Sequence, residues 1–448
     1  MNRLVTLVLV VLYFSGCKVN ERSLAERVID VSSFGISGDD TRNDGKRISE
    51  MFAFYTSKGS DESSFEFHFP SGVYQIETTV KVPSNVSIIG HGDVVFQRMR
   101  LGKYHMFEMN GVVGSRMKGV RVRGLRSTVR HVPESNHSYS YGIFIRNSSN
   151  VSISGVNISE TINTGMRLSG TSYVTIDSCT FENIGLPTSE AVASGMKYAY
   201  DGILITGTKA LATSNTNIIN CTFERIGDRQ ANDDGDGIQL SKNDLIENTT
   251  IDQCVFRSCS RRAVKIQSGR KYVIANSKFY DCGRALGIPM SSSVSDVVFT
   301  KNSVENCSQG IQLNSSKDHC LQGIKIANNN FAKTSNVIYT AGKSRLCAYA
   351  DFKEADKSTW SLFEGNVVDQ NSDFLMLGIF SGFLLKSNTF RNVNAKQLRN
   401  NIEKPFTFRV TSSDVIFEKN QFDGEKNTSL LIEKRKGVQN IIVKQEKF

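Results

Sequence analysis

Between residues 142 and 313 the chain alternates apolar and polar positions in short bursts, with no helical stretch among them. Gly or Ala opens each burst: Gly142-Ile143-Phe144-Ile145, Gly165-Met166-Arg167-Leu168, Gly202-Ile203-Leu204-Ile205 and Gly237-Ile238-Gln239-Leu240. Ala263-Val264-Lys265-Ile266, Ala285-Leu286-Gly287-Ile288 and Gly310-Ile311-Gln312-Leu313 follow. Alternation over a few residues, with Gly and Asn between, predicts short strands. A second phrase sits between these bursts, a small or polar residue two positions before Phe or Val. It reads Cys179-Thr180-Phe181, Cys221-Thr222-Phe223, Cys254-Val255-Phe256 and Ser277-Lys278-Phe279, then Asn302-Ser303-Val304 and Asn329-Asn330-Phe331. It continues as Asn366-Val367-Val368, Asn388-Thr389-Phe390 and Asn420-Gln421-Phe422. The shortest separations between the third residues are 22, 23 and 25. Longer ones read as the same unit carrying inserted loops.

Two or three strands in every 22 to 25 residues describe one turn of a parallel β-helix, an all-β fold. A single coil cannot bury its apolar face alone, so coils stack about 4.8 Å apart and share a core. Equivalent positions then form columns. Cys179, Cys221 and Cys254 share one column, and Cys259, Cys282 and Cys307 share another. These are expected to be buried thiols, since free Cys packs as a small hydrophobe. No CxxC pair is present and no His joins these columns, so a zinc site has no support. The Asn members of the first column are expected to hydrogen-bond along the stack. Before the array, Asp44 to Lys58 has Ile48, Met51, Phe52 and Tyr55 at helical spacing, which predicts a helix capping the N-terminal end. Lys434, Arg435, Lys436, Lys444 and Lys447 near the last strands read as edge lysines that block strand addition.

Residues 1-25 stand apart. Arg3 precedes the apolar run Leu4 to Leu12, a pattern of export signals. Phe14-Ser15-Gly16-Cys17 then resembles a bacterial lipobox, with Cys17 as the lipidated residue. A plainly cleaved signal and an uncleaved anchor are the alternatives. The chain is therefore expected to be exported, as a periplasmic or outer-membrane lipoprotein or a secreted protein, with 26-448 as one β-helix domain. Charged residues are 22% of the chain and Phe numbers 27, which excludes disorder throughout. Lys and Arg outnumber Asp and Glu by 54 to 44, a net +10, which favours an acidic partner. Nucleic acid is disfavoured, because neither an Arg/Lys-rich helix nor an aromatic RNA-binding phrase is present.

The segment Asp30-Val31-Ser32-Ser33-Phe34-Gly35, then Gly38-Asp39-Asp40 and Asn43-Asp44, is followed by Phe69-Pro70-Ser71-Gly72-Val73-Tyr74. Val82-Pro83-Ser84-Asn85-Val86-Ser87-Ile88-Ile89-Gly90 and Gly92 complete the set. Together these resemble the N-terminal signature of the pectate lyase-like superfamily, which includes rhamnogalacturonase, epimerase and tailspike relatives. The resemblance implies a right-handed, single-stranded parallel β-helix and an activity on polysaccharide. Asp39 and Asp40 read as structural in the opening turn.

Aligning the bursts gives a column just ahead of each small residue: Tyr141, Thr164, Asp201, Asp236, Arg262, Arg284 and Gln309. Three positions on, the column reads Phe144, Arg167, Leu204, Gln239, Lys265, Gly287 and Gln312. Both are expected as stripes on the outside of one sheet, where Asp201 and Asp236 would lie one coil apart. Stacked carboxylates repel, so one would hold its proton unless a cation intervenes. Such a pair can supply a general acid beside an ionised partner. Arg262, Lys265 and Arg284 could hold a sugar carboxylate. Loops tend to carry binding residues. The insertions before the two Asp bring Lys197, Tyr198 and Tyr200, and Asp228, Arg229, Asp233 and Asp234, while Arg130, His131 and His137 precede Tyr141. Arg167 and Gln239 join the expected substrate contacts. Asn232-Asp233-Asp234-Gly235-Asp236 could alternatively hold Ca²⁺, with Asp233 and Asp234 as ligands.

Tyr200-Asp201-Gly202-Ile203 resembles the polygalacturonase Asn-Thr-Asp-Gly phrase, and Asp236 falls at the second Asp of that family's pair. Gly235 replaces the first Asp of that pair, and no Gly-His-Gly follows. Lys265-Ile266-Gln267-Ser268, with Asn276-Ser277-Lys278-Phe279, resembles phrases of alginate and chondroitin lyases, although their Arg-His-Gly is absent. The net charge favours a lyase acting on a uronate-containing polysaccharide. Lys265 or a loop Tyr (Tyr198 or Tyr200) would be the base, Arg262 would stabilise the enolate-like charge, and Asp201 and Asp236 would position substrate or a cation. The alternatives are a hydrolase using Asp201 and Asp236, and a polysaccharide-binding matrix protein without catalysis.

Overall fold

One residue in the left-handed region turns the chain at the same point of every coil. Ser178, Asn220, Gln253, Asn276, Lys301 and Asn328 all have φ between 49 and 58°. Each precedes a member of the Cys/Ser/Asn column, so this column forms the corner between a longer strand and a three- to five-residue strand. The computed structural model describes residues 26–58, 63–126, 141–185, 200–208, 210–227, 235–241, 245–289, 293–314, 321–334, 337–339, 361–369, 383–391, 407–410, 415–423, 431–434 and 441–444.

A representative coil consists of Gly269–Ala275, Lys278–Tyr280 and Arg284–Ile288. The next repeats it as Val294–Thr300, Ser303–Glu305 and Gln309–Leu313. Pairing between them is parallel, with Ile274 opposite Phe299, Phe279 opposite Val304 and Leu286 opposite Ile311. The third strand of each coil belongs to a ten-stranded sheet whose strands lie side by side in chain order. The coils enclose a core that runs continuously from Ile29 to Phe417. The fold expected from the repeats is the fold observed.

Packing within the columns explains the repeat phrases. Phe181, Phe223, Phe256 and Phe279 stack at 4.9, 4.8 and 5.0 Å with near-parallel rings. Burying each contributes roughly 1.5–3 kcal/mol. These rings press against the small column: a Cβ on Gly237 would lie 2.9 Å from Phe256 and 2.6 Å from the Ala263 carbonyl. That column therefore accepts only Gly or Ala. The six cysteines Cys179, Cys221, Cys254, Cys259, Cys282 and Cys307 are free and buried, as the columns imply. Burial pushes the Cys282 thiol well above its ordinary range, which suits core filling and not reactivity.

Further along, asparagine replaces cysteine in the corner and builds a polar ladder. The Oδ1 of Asn329 accepts from the Asn302 backbone N–H at 2.9 Å, and that of Asn366 accepts likewise from Asn329. Asn388 and Asn420 continue the series at 2.9 and 3.0 Å. Each Nδ2 is also used; that of Asn366 donates to the Ile326 carbonyl at 3.0 Å.

The helix occupies the span its periodicity indicates, Asp44–Lys58. Ile48, Met51 and Phe52 are fully buried at the N-terminal end of the core, where Phe52 packs 4.6 Å from Phe67. Asp44 ties the helix to the first coil by accepting from the Gln75 N–H at 3.0 Å. In the opening turn Asp40 pairs with Arg42 and Arg47, a structural role as expected. Among the described residues no helix is long and apolar enough to cross a membrane. Lys434 and Lys444 end strands Leu431–Lys434 and Ile441–Lys444. Cys17, Arg435, Lys436 and Lys447 lie outside the described residues.

Replacing Asn366 with Ala tests the ladder. It strands the Asn329 N–H and the Ile326 carbonyl, and each buried orphan group costs about 1–3 kcal/mol. Denaturant unfolding should therefore show a loss of about 2–5 kcal/mol. A loss below about 1 kcal/mol would mean that the ladder bonds add little to stability.

Candidate functional site

The ten-stranded sheet brings the charged columns into the register read from the sequence. Asp201 on Tyr200–Thr206 pairs with Asp236 on Gly235–Leu240, and Asp236 pairs with Arg262 on Arg262–Ile266. In the parallel column Arg167 lies opposite Leu204, Leu204 opposite Gln239, Gln239 opposite Lys265, and Lys265 opposite Gly287. Ile203, Ile205, Ile238, Leu240, Val264 and Ile266 fill the core from the same strands.

The stripe is not the open surface that alternation implies. Asp201 and Asp236 are fully buried, while Arg262 and Lys265 are 3% and 4% exposed. The charges meet each other. Arg262 Nη1 lies 3.2 Å from both carboxylate oxygens of Asp236, and Lys265 Nζ lies 3.2 Å from Asp236 Oδ2. Lys265 also donates to Gln239 Oε1 at 3.0 Å, and Gln239 Nε2 donates to Gln267 Oε1 at 3.1 Å. The two cations thus supply the counter-charge that stacked carboxylates require. The sequence-based expectation that Arg262 and Lys265 stand on an open surface to hold a sugar carboxylate is corrected in this respect: both are buried and paired with Asp236 on the preceding rung.

Gly287 explains how Arg262 fits. A Cβ there would fall 2.3 Å from Arg262 Cδ, so the missing side chain leaves the channel in which the arginine lies. Arg284 sits at the next rung, half-buried, with its Nε donating to Gln309 Oε1 at 2.5 Å.

Tyr200 also needs correction. It is the first residue of a strand and not a loop residue, and it is 4% exposed. It packs closely against Gly185, where a Cβ would lie 2.8 Å from Tyr200 Cγ. Lys197, Tyr198, Asp228, Arg229, Asn232, Asp233, Asp234, Arg130, His131 and His137 lie outside the described residues. Among the described residues no group of His, Cys, Asp and Glu could hold a metal ion.

One part of the stripe escaped the sequence reading. Ahead of Asp201, Arg167 Nη1 donates to the Tyr141 hydroxyl at 2.8 Å and lies 5.5 Å from the Tyr141 and Phe144 ring centres. His105 stacks on Tyr141 at 4.9 Å and meets Phe144 edge-on at 4.8 Å. Burial, reinforced by Arg98, Arg167 and Arg146, pushes the His105 pKa down to about 4, so the ring is neutral at pH 7. The columns named Tyr141, Phe144 and Arg167, but His105 precedes the first aligned burst and gave no signal.

The sequence profile described as the right-handed β-helix region matches residues 83–243 and 206–354. No curated protein matches the sequence. Similar solved structures include the tailspike of E. coli bacteriophage HK620 in complex with pentasaccharide. It is 12% identical with a TM-score of 0.63, over 94% of this chain and 78% of that one. The catalytic unit of a GH87 α-1,3-glucanase from Streptomyces thermodiastaticus is 11% identical with a TM-score of 0.60, over 94% and 69%. PfbA, a surface adhesin of Streptococcus pneumoniae, is 12% identical with a TM-score of 0.53, over 94% and 93%. At such identities the likeness is one of fold. The profile matches together run from residue 83 to 354, more than half of the chain, and they coincide with the stacked parallel coils: the protein belongs to the right-handed β-helix family.

Proposed function

We propose that this protein binds and cleaves an acidic polysaccharide at the stripe formed by Asp201, Asp236, Arg262 and Lys265. The observation that carries the reading is the pair of carboxylates on adjacent rungs, with two cations gathered on one of them in a buried setting. A solenoid needs no charge there for its coils to stack. Desolvating each ion costs several kcal/mol, so the cluster weakens the fold unless its pairing is good. Strongly interacting charges held away from water are a common feature of reaction centres. The pentasaccharide bound to the HK620 tailspike and the activity named for the α-1,3-glucanase support carbohydrate as the substrate class. The resemblance of residues 28–92 to the pectate lyase-like signature supports the same class, and the net charge of +10 favours an acidic polymer. Arg3, the apolar run behind it and Cys17 support export with a lipid anchor, ahead of one catalytic domain over 26–448.

Of the two cleavage chemistries, the geometry supports hydrolysis over the β-elimination that the charge pattern suggested. A lyase base must accept a proton, whereas Lys265 donates to Gln239 and pairs with Asp236. Arg262 likewise serves Asp236 and not an enolate. Asp201 and Asp236 can carry hydrolysis instead: one can protonate the leaving glycosidic oxygen while the other attacks the anomeric carbon or activates water. Adjacent rungs about 4.8 Å apart suit the closer carboxylate separation of retaining enzymes. Because all four residues are at most 4% exposed, sugar reaches them only when the atoms covering the stripe move aside. PfbA, an adhesin on the same fold, favours binding without cleavage as the second reading.

Incubation with acidic glycans separates the readings. Hydrolysis gives new reducing ends without the ultraviolet absorbance of an unsaturated uronate; that absorbance would establish a lyase, and retention without either product a binding protein. Asp201→Asn and Asp236→Asn should each lower turnover about 10²–10⁴-fold. Wild-type turnover in both variants would remove the stripe from the chemistry.

Stability gives a separate check of the ion cluster. Asp236→Ala leaves Arg262 and Lys265 buried without their carboxylate, a loss of about 3–5 kcal/mol in denaturant unfolding. An unfolding free energy within about 1 kcal/mol of wild type would mean that the cations find water or other partners.

A further inference from the structure

The longer strands of the coils carry a second left-handed residue. In Asn150, Tyr173, Asn215, Asn248, Lys271, Asp296 and Gly323, φ lies between 53 and 61°. Sheet pairing steps over these positions: Ser172 pairs with Ser214 and Val174 with Thr216, leaving Tyr173 and Asn215 side by side without a ladder pairing, and the register unchanged. A left-handed residue interrupts the extended backbone and bends the strand there. Repeated on successive coils, it folds the outer face of this sheet into a groove of about 620 Å³. The groove crosses five coils, about 19 Å at one rung per 4.8 Å. It lies on the longer strands, not on the ten-stranded sheet that carries the carboxylates.

We propose that this groove is a second saccharide site, for a neutral, extended oligosaccharide. Its walls carry the amides of Asn215, Asn217 and Asn248 and the hydroxyls of Thr175 and Thr250. These are fixed donors and acceptors, spaced along the axis, that complement a row of sugar hydroxyls. One cation, Lys271, and one anion, Asp296, offset each other in the lining, so nothing there selects a polyanion. The volume is in the range of small-ligand sites. A peptide strand has no place to add, because the strands beneath are paired on both sides.

Tyr173 points to the ligand most directly. Asn, Asp and Gly fill most of the column because they tolerate the left-handed region. A tyrosine there is strained, yet Tyr173 adopts φ 54° and is 62% exposed. The fold gains nothing from placing an aromatic ring at that rung: the ring is neither in the core nor shielded from water. Strain kept at an exposed aromatic is a feature of binding sites. A flat ring at the edge of an amide-lined groove supplies the stacking surface for the apolar face of a sugar. This site stands independently of the cleavage reading.

Calorimetric titration of the full chain with cellopentaose, laminaripentaose and maltopentaose tests the proposal. At least one should bind saturably, and Tyr173→Asn should weaken that binding about tenfold or more. The same variant should unfold at or above the wild-type midpoint, since Asn relieves the backbone, and should turn over acidic glycan as wild type does. Asp201→Asn should leave the titration unchanged, which separates this site from the stripe. The proposal is overturned if none of the three pentasaccharides binds, or if Tyr173→Asn binds as wild type. It is also overturned if Tyr173→Asn only dissolves a self-association of the protein, which would make the groove a contact between copies.

Discussion

Each coil of this solenoid has to present the next one with the same outline, because backbone hydrogen bonds hold successive coils about 4.8 Å apart. That constraint turns sequence positions into columns. A ring must lie on a ring, as Phe181, Phe223, Phe256 and Phe279 do, and what faces the rings must be Gly or Ala. A corner needs a left-handed residue followed by a side chain that satisfies buried backbone groups, which Cys does weakly and Asn does fully. Chemistry, too, is confined to columns: two residues react together only if they occupy neighbouring rungs.

The charged stripe shows what that confinement allows. Asp201 and Asp236 are distant in the chain but adjacent in space, and the like charge of one rung is balanced from the following rung by Arg262 and Lys265. The absent side chain of Gly287 is part of the same arrangement, because Arg262 lies where that side chain would be. Burial makes each of these contacts stronger and each missing partner more costly. It also sets a condition on the function we propose, since a sugar and the stripe cannot meet without movement of the covering atoms.

Much of this was legible in the sequence because columns repeat. The register of Asp201, Asp236 and Arg262, the free cysteines, the asparagine ladder and the Asp44–Lys58 helix all follow from spacing alone. What spacing does not carry is depth. Alternation distinguishes inside from outside, but burial of the outer stripe depends on what covers it, so the sequence does not show that Arg262 and Lys265 are buried ion-pair partners of Asp236. Tyr200 read as a loop residue because no periodicity marks the first residue of a strand. The groove on the longer strands was illegible for another reason: Tyr173 and Lys271 are not residues that announce a left-handed turn, and only the backbone reveals that they make one.

We propose that the stripe is where a polysaccharide is cut. A crystal structure of the Asp201→Asn variant with an acidic oligosaccharide tests it most directly. The account predicts the sugar chain lying across the ten-stranded sheet, with a glycosidic oxygen within hydrogen-bond distance of residues 201 and 236 and the cover displaced. An oligosaccharide bound elsewhere, over a stripe still closed around Asp236, Arg262 and Lys265, would contradict it.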